Sequence, residues 1–291
     1  MGSLKLRGLL FFLLILGLFF FAGCADTPDE VVDGAVDEEE VVEEVEVDTA
    51  EDTGTLLFVA DGEERAREGM NSKESWVMSF DHIYVTLSDM IAYQTDPPYD
   101  TDQGWDIEYQ VAVELPGKYT VDLAQPDADP VVVGEVAQAP AGHYNALSWI
   151  VARADSGPSE GYSILFIGTA EKDGEVIDFR LGIEFEVAYL GGDFVGDVRK
   201  GILEPGASAE VEMTFHLDHL FGRDDRPLDD SMNLEAFGFG PLAELADDGS
   251  VEADLAYLET VLDSETYDIL VDVLTHFAHV GEGHCLAEFV E

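Results

Sequence analysis

The sequence predicts a mainly β fold, an antiparallel β-sandwich carrying a C-terminal helical hairpin, and three observations lead there. Short runs rich in Val, Ile, Phe, Tyr and Thr recur between residues 55 and 219. Turn-forming residues separate them and no amphipathic segment of helix length intervenes, which is the signature of packed antiparallel sheets rather than of alternating βα units. Only after Phe221 does the apolar spacing change from two residues to the 3.6 of a helix.

In chain order the predicted strands are 55–60, 76–80, 83–87, 110–115, 119–122, 131–136, 145–154, 162–169, 176–189 and 209–219. Breakers stand between them at Asp96-Pro97-Pro98, Pro116-Gly117, Pro140-Ala141-Gly142 and Asp173-Gly174. The clearest strand is 176–189. There Ile177, Phe179, Leu181, Ile183, Phe185, Val187 and Tyr189 alternate with Asp178, Arg180, Glu184 and Glu186, so one face is apolar and the other charged. Residues 55–220 therefore form the predicted β-sandwich domain.

Residues 221–291 change character. Arg223-Asp224-Asp225-Arg226-Pro227 and Asp229-Asp230-Ser231 read as a polar loop, and Gly238-Phe239-Gly240-Pro241 as a turn. Leu255, Leu258, Val261 and Leu262 then make one apolar stripe, and Tyr267, Leu270, Val271, Leu274 and Phe277 a second. With Ser264 as N-cap, these predict a helical hairpin that packs on the sandwich and ends at Gly281 or Gly283.

The N-terminus stands apart from the fold. Lys5 and Arg7 precede an apolar run, 9–21, that is shorter than the roughly 20 residues a membrane-spanning helix needs, so residues 1–24 read as a signal peptide. Phe21-Ala22-Gly23-Cys24 resembles the lipobox of bacterial lipoproteins, which implies that Cys24 is acylated and anchors the protein to a membrane on its extracytoplasmic face. Residues 25–54 hold 14 acidic residues and no Lys or Arg. Their mutual repulsion predicts a disordered tether.

Beyond signal and tether, 49 acidic residues face 11 basic ones. Such a field excludes nucleic acid and anionic membrane surfaces as partners. Lysine is confined there to Lys73, Lys118, Lys172 and Lys200, a balance that suits a halophilic setting in which salt screens the repulsion. No D-x-[DN]-x-[DN]-G calcium loop occurs in the sequence.

Ile83-Tyr84-Val85-Thr86-Leu87-Ser88-Asp89, Val121-Asp122-Leu123 and Gly142-His143-Tyr144-Asn145 together resemble a family of bacterial lipoprotein domains of unknown function, whose members carry the pattern vyVTlsd, vDL and GhYn. The resemblance spans about 55–154. It implies a β-sandwich on an exported lipoprotein and supplies no catalytic residues.

Chemistry concentrates at the end of the chain, where five of the seven histidines lie. His216, His219, His279 and His284 are the primary metal-ligand candidates, and Asp218, His276, Glu282 and Cys285 the secondary ones, because imidazole, carboxylate and thiolate are the ligands that zinc and its neighbours prefer. The 3.6-residue period places Asp272, His276 and His279 on one face of the second helix, with His216 and Asp218 on a facing β-segment. Zinc is the first expectation, with copper, nickel or iron compatible with the same donors. Cys285 is, after Cys24, the sole cysteine, so it is either a ligand, a reactive thiol or a small buried residue. His82 and His143 read as ordinary histidines.

The sequence holds no H-E-x-x-H helix, G-x-S-x-G elbow or Gly-rich phosphate loop, so the expected activity is binding rather than catalysis. The alternative is a surface module that binds a glycan or protein partner through Tyr93, Tyr99, Trp105 and Tyr109.

Overall fold

The computed structural model describes residues 52–127, 130–192, 200–281, 283 and 285–290. The signal peptide, Cys24 and all but the last residues of the acidic tether lie outside them, as do Glu282 and His284. The described chain is mainly β. It runs through β1 (Thr53–Asp61), α1 (Glu63–Glu68), β2 (Met70–Asn71), β3 (Val77–Gln94), a 3-10 turn (Thr101–Gln103), β4 (Val111–Asp122), β5 (Val131–Pro140), β6 (Gly142–His143), β7 (Ala146–Val151), β8 (Ile164–Lys172), β9 (Glu175–Ile183), β10 (Val187–Gly192), β11 (Ile202–Leu203) and β12 (Ser208–Phe215). The C-terminal part adds α2 (Leu217–Phe221), α3 (Ser231–Glu235), α4 (Gly240–Leu245), β13 (Ser250–Asp254), α5 (Leu255–Val261), α6 (Ser264–Val273), β14 (Ala278–Val280) and β15 (Cys285–Phe289).

A first sheet has the order β14-β12-β1-β5, and a second runs β13-β9-β8-β3-β7-β10-β15, with β2 and β4 also paired to β3. Most pairs are antiparallel, as expected. Two are not: β1 runs parallel to β12, with Asp61 opposite Thr214, and β13 runs parallel to β9. Partners this far apart in sequence are joined by long excursions rather than tight turns, so hairpin geometry does not dictate their direction.

One predicted breaker proves to be a bulge, and one predicted gap is closed. The runs 76–80 and 83–87 are one strand, β3, whose register slips between Phe80 and His82 against β8 and between Ser88 and Met90 against β4. Pro116-Gly117 falls within β4 at that second slip, where the missing proline donor and the positive φ of Gly117 (115°) cost the ladder little. Conversely, the predicted strand 176–189 is two strands. β8 and β7 pair with successive halves of β3, and β9 and β10 lie beside them in turn. Between β9 and β10 the Glu184 carboxylate accepts from the Leu255 amide at 2.9 Å, and that of Glu186 accepts from the Arg153 amide at 2.8 Å. The alternation survives the break, with Ile177, Phe179, Leu181, Ile183, Val187 and Tyr189 all buried.

Both large sheets contribute to one apolar cluster: Phe58, Val211, Met213 and Phe215 from the first and Ile83, Val85, Phe166 and Phe179 from the second. Phe166 meets Phe221 of α2 edge-on at 5.8 Å and Phe277 at 6.0 Å, while Phe277 also contacts Phe215 at 5.8 Å. Aromatic pairs of this kind contribute about 0.5–1.5 kcal/mol each beyond their burial. They fix the chain on either side of the C-terminal histidines.

The C-terminal region departs from the expected helical segment. α5 and α6 form at the predicted apolar stripes, but the cap of α6 is Asp263, whose carboxylate accepts from the Glu265 and Thr266 amides at 3.1 Å, not Ser264. α6 ends at Val273. The chain beyond it is drawn into strands, β14 pairing with β12 and β15 with β10, because open sheet edges offer its backbone groups partners that a further helical turn does not.

Candidate metal centre

β12 carries its residues on two faces. Val211, Met213 and Phe215 enter the shared core, and Glu212, Thr214 and His216 continue the other face, also buried. On the antiparallel neighbour β14, His279 stands opposite Thr214, and the ladder extends one step further as the His216 amide donates to the Phe277 carbonyl at 2.9 Å. Period-two geometry thus sets His279 and His216 on the same side. At His216 the chain turns into α2, and the first helical turn, in which the His219 amide donates to the His216 carbonyl at 3.1 Å, brings His219 back beside His216.

Three imidazole rings result in a nearly equilateral triangle. Ring centres are 5.0 Å apart for His216 and His219, 5.0 Å for His216 and His279, and 5.2 Å for His219 and His279. A tetrahedral zinc ion about 2.0–2.1 Å from a ring nitrogen lies about 3.2 Å from the ring centre, which separates the centres of two ligating imidazoles by about 5.2 Å. The donor set and the spacing fit one transition ion. The burial is graded, with His216 inside and His219 and His279 partly exposed.

The ring orientations follow from their partners. His219 Nδ1 lies 2.6 Å from the His276 carbonyl, which can only accept, so Nδ1 carries the proton and Nε2 is the nitrogen available to a ligand. His216 Nδ1 is 3.5 Å from the Glu63 carboxylate. The hydrogen bond to His216 holds the Glu63 carboxyl below its ordinary range, against the opposing effect of burial, and His216 and Arg65 charges act in the same direction.

Glu63, His216 and Asp218 form a second, overlapping group, with one potential ligand atom of each within 4.8 Å of the others. Its carboxylates are committed elsewhere. Arg65 reaches Glu63 at 2.8 Å and Asp218 at 3.2 Å, and Arg223 lies 3.8 Å from Asp218. A guanidinium touching both carboxylates repels a divalent cation, so the carboxylates form the layer behind His216 rather than a ligand set.

A cleft of about 520 Å³ opens onto the histidines, lined by His219, His276, His279, Asp272, Glu235 and Met232 among others. His276 and Asp272 are exposed on this cleft and do not share a helical face with His279. The expectation of one helix presenting all three is corrected: His276 lies in the turn after α6 and His279 on β14. The His276 side chain bonds Thr275 Oγ1 and the Asp272 carbonyl, and its contribution to the centre is its own carbonyl. Likewise the predicted strand 209–219 stops at Phe215, so Asp218 belongs to α2.

Cys285 sits on β15 with its sulfur against Gly191, where an added Cβ would meet Sγ at 2.3 Å. Burial pushes its thiol up to about 12, which suits a packed small residue and not a reactive thiolate. His284 and Glu282 lie outside the described residues. Of the aromatic set at 93–109, Tyr93 and Tyr99 are buried, and the Tyr99 hydroxyl donates to the Gly104 carbonyl at 2.6 Å, which leaves Trp105 and Tyr109 exposed. His82 is paired with Asp122 at 2.7 Å, and His143 is exposed on β6, opposite Ile202 of β11.

Glu63 and Arg65 are the residues that sequence reasoning missed. Nothing in Glu63-Glu64-Arg65-Ala66-Arg67-Glu68 marks them, since an acidic and basic helical turn is the commonest of surface patterns. Compared with protein-family models, with curated proteins and with solved structures, the chain matches none.

Proposed function

We propose that this protein is an exported, lipid-anchored metal-binding protein, in which a β-sandwich with a C-terminal helical segment holds one divalent transition ion through His216, His219 and His279. The observation that carries the reading is the triangle of ring centres at 5.0, 5.0 and 5.2 Å, the spacing that one tetrahedral ion imposes. Zinc is the ion that imidazole donors favour as a prior, with copper, nickel and iron held by the same chemistry. The lipobox-like sequence ending at Cys24 supports attachment to a membrane on the extracytoplasmic face, and the resemblance at residues 83–89, 121–123 and 142–145 supports a place among lipoprotein domains. The acidic excess supports a high-salt surrounding, in which the melting temperature rises with salt.

The test is metal analysis of purified full-length protein after reconstitution with zinc. The expected result is near one equivalent, removed by chelator together with a drop in melting temperature. Protein that stays metal-free overturns the reading. For the anchor, Cys24→Ala is expected to release the protein from the membrane fraction or to leave an unprocessed precursor, and unchanged anchoring refutes it.

A further inference from the structure

We propose that Glu63 is a positioning residue of the histidine centre: its carboxylate orients His216 so that the nitrogen remote from Glu63 faces the ion. This rests on the metal reading above. Two independent observations meet at this residue. The first is placement. Parallel pairing of β1 with β12 sets Asp61 opposite Thr214, so the residues two further along, Glu63 and His216, emerge side by side. The carboxylate lies 3.5 Å from His216 Nδ1, and Arg65 holds it at 2.8 Å while bridging to Asp218 and, through it, to Arg223. Charges alternate along that chain, and it ends on an imidazole. Histidine ligands are commonly oriented by such a carboxylate on the nitrogen that does not bind metal.

The second is backbone conformation. Glu63 has φ 58°, in the left-handed region that a residue with a Cβ adopts at a cost, and its amide is held there by the Asp61 carboxylate at 2.8 Å. A glycine at 63 meets no such cost, and many residues at a neutral turn dispense with a carboxylate. The strained conformation aims the side chain at His216, which gives it a use that a solvated turn lacks.

This combination makes a test that separates positioning from structure. The variants are Glu63→Gly and Glu63→Gln in the full-length protein, measured by competition of Zn(II) against a chromophoric chelator, by melting of the metal-free protein and by the visible spectrum of the Co(II)-loaded form. Glu63→Gly is expected to weaken Zn(II) binding roughly 10–100-fold and to alter the Co(II) spectrum, while the metal-free melting temperature stays level or rises because the strain is gone. Glu63→Gln keeps an acceptor oxygen for Nδ1 and is expected to recover part of the affinity. An unmoved Zn(II) affinity and Co(II) spectrum in Glu63→Gly overturn this inference, as does a fall in metal-free melting temperature that accounts for the lost affinity. Wild-type protein that binds no Zn(II) overturns the metal reading itself, so the two failures are distinguishable.

Discussion

Among the described residues His82 and His216 each sit beside a carboxylate, and their surroundings differ. His82 is 2.7 Å from Asp122 and stacks on Tyr84 at 4.9 Å, on the half-exposed face of β3. His216 is 3.5 Å from Glu63, but it is buried and two further imidazoles stand about it. A histidine–carboxylate contact is therefore no mark of a site on its own. At β3 the carboxylate serves the backbone, since Asp122 also accepts from the Ile83 and Ala124 amides at 2.9 and 3.1 Å. At β12 three rings, from a strand end, a helix and a neighbouring strand, come within 5.0–5.2 Å of one another, and this is what sets the arrangement apart.

The comparison is broken most directly by removing imidazoles from both regions. His216→Ala combined with His279→Ala is expected to eliminate bound zinc, from near one equivalent to none, and with it the stabilisation by metal. His82→Ala combined with His143→Ala is expected to leave the zinc content unchanged. Elemental analysis of the four proteins decides, and metal retained by the first double variant ends the distinction.

The next largest effect concerns Cys285, the thiol nearest the C-terminal histidines in sequence. Burial raises the thiol from 9.0 to about 12 and so lowers the thiolate fraction at neutral pH, and alkylation of the folded protein is expected to be markedly slower than that of the unfolded chain. The sign for stability is negative with rising pH. Between pH 9.0 and about 12 the unfolded chain releases a proton that the folded chain keeps, so stability falls across that window. Rapid alkylation of the native, metal-free protein would return Cys285 to the ligand candidates.

Smaller effects sharpen the β3 side. Asp122→Ala strands two backbone amides on a mostly covered site and is expected to cost about 1–3 kcal/mol in denaturant unfolding, with no change in bound zinc. His82→Ala removes one exposed partner of a surface pair and is expected to cost about 0–1 kcal/mol. If His82→Ala costs as much as Asp122→Ala, the imidazole and not the backbone is what Asp122 serves.

Much of the β character was legible because it is written with period two. The alternation through 176–189 persists across both β9 and β10, and the apolar residues read on it are buried except Phe185, which is partly buried at the break. What misled was one breaker, the other three standing where strands end. Pro116-Gly117 interrupts a strand in most contexts, but here the two residues bulge opposite the single Asp89 (φ 50°) of β3 and the ladder resumes beyond them, and local sequence does not announce which partner a strand will meet. At the C-terminus, Leu274 and Phe277 do sit inward as the helical stripe demands, although the helix has already ended. Burial of the right residues and the wrong secondary structure are compatible, since a single turn satisfies either backbone path.

By itself the sequence determined the strand periodicity, the acidic charge and the clustering of histidines in the last third, because each is a property of residues close together along the chain. Only the tertiary structure decided that His279 reaches His216 from a strand rather than a helix. It alone decided, too, that Glu63 lies against His216, 153 residues away. Both follow from pairing across sheet edges, β14 with β12 and β12 with β1. The free energy of such pairing depends on the whole set of competing edges and on the core beneath them, and no local window of sequence contains that competition.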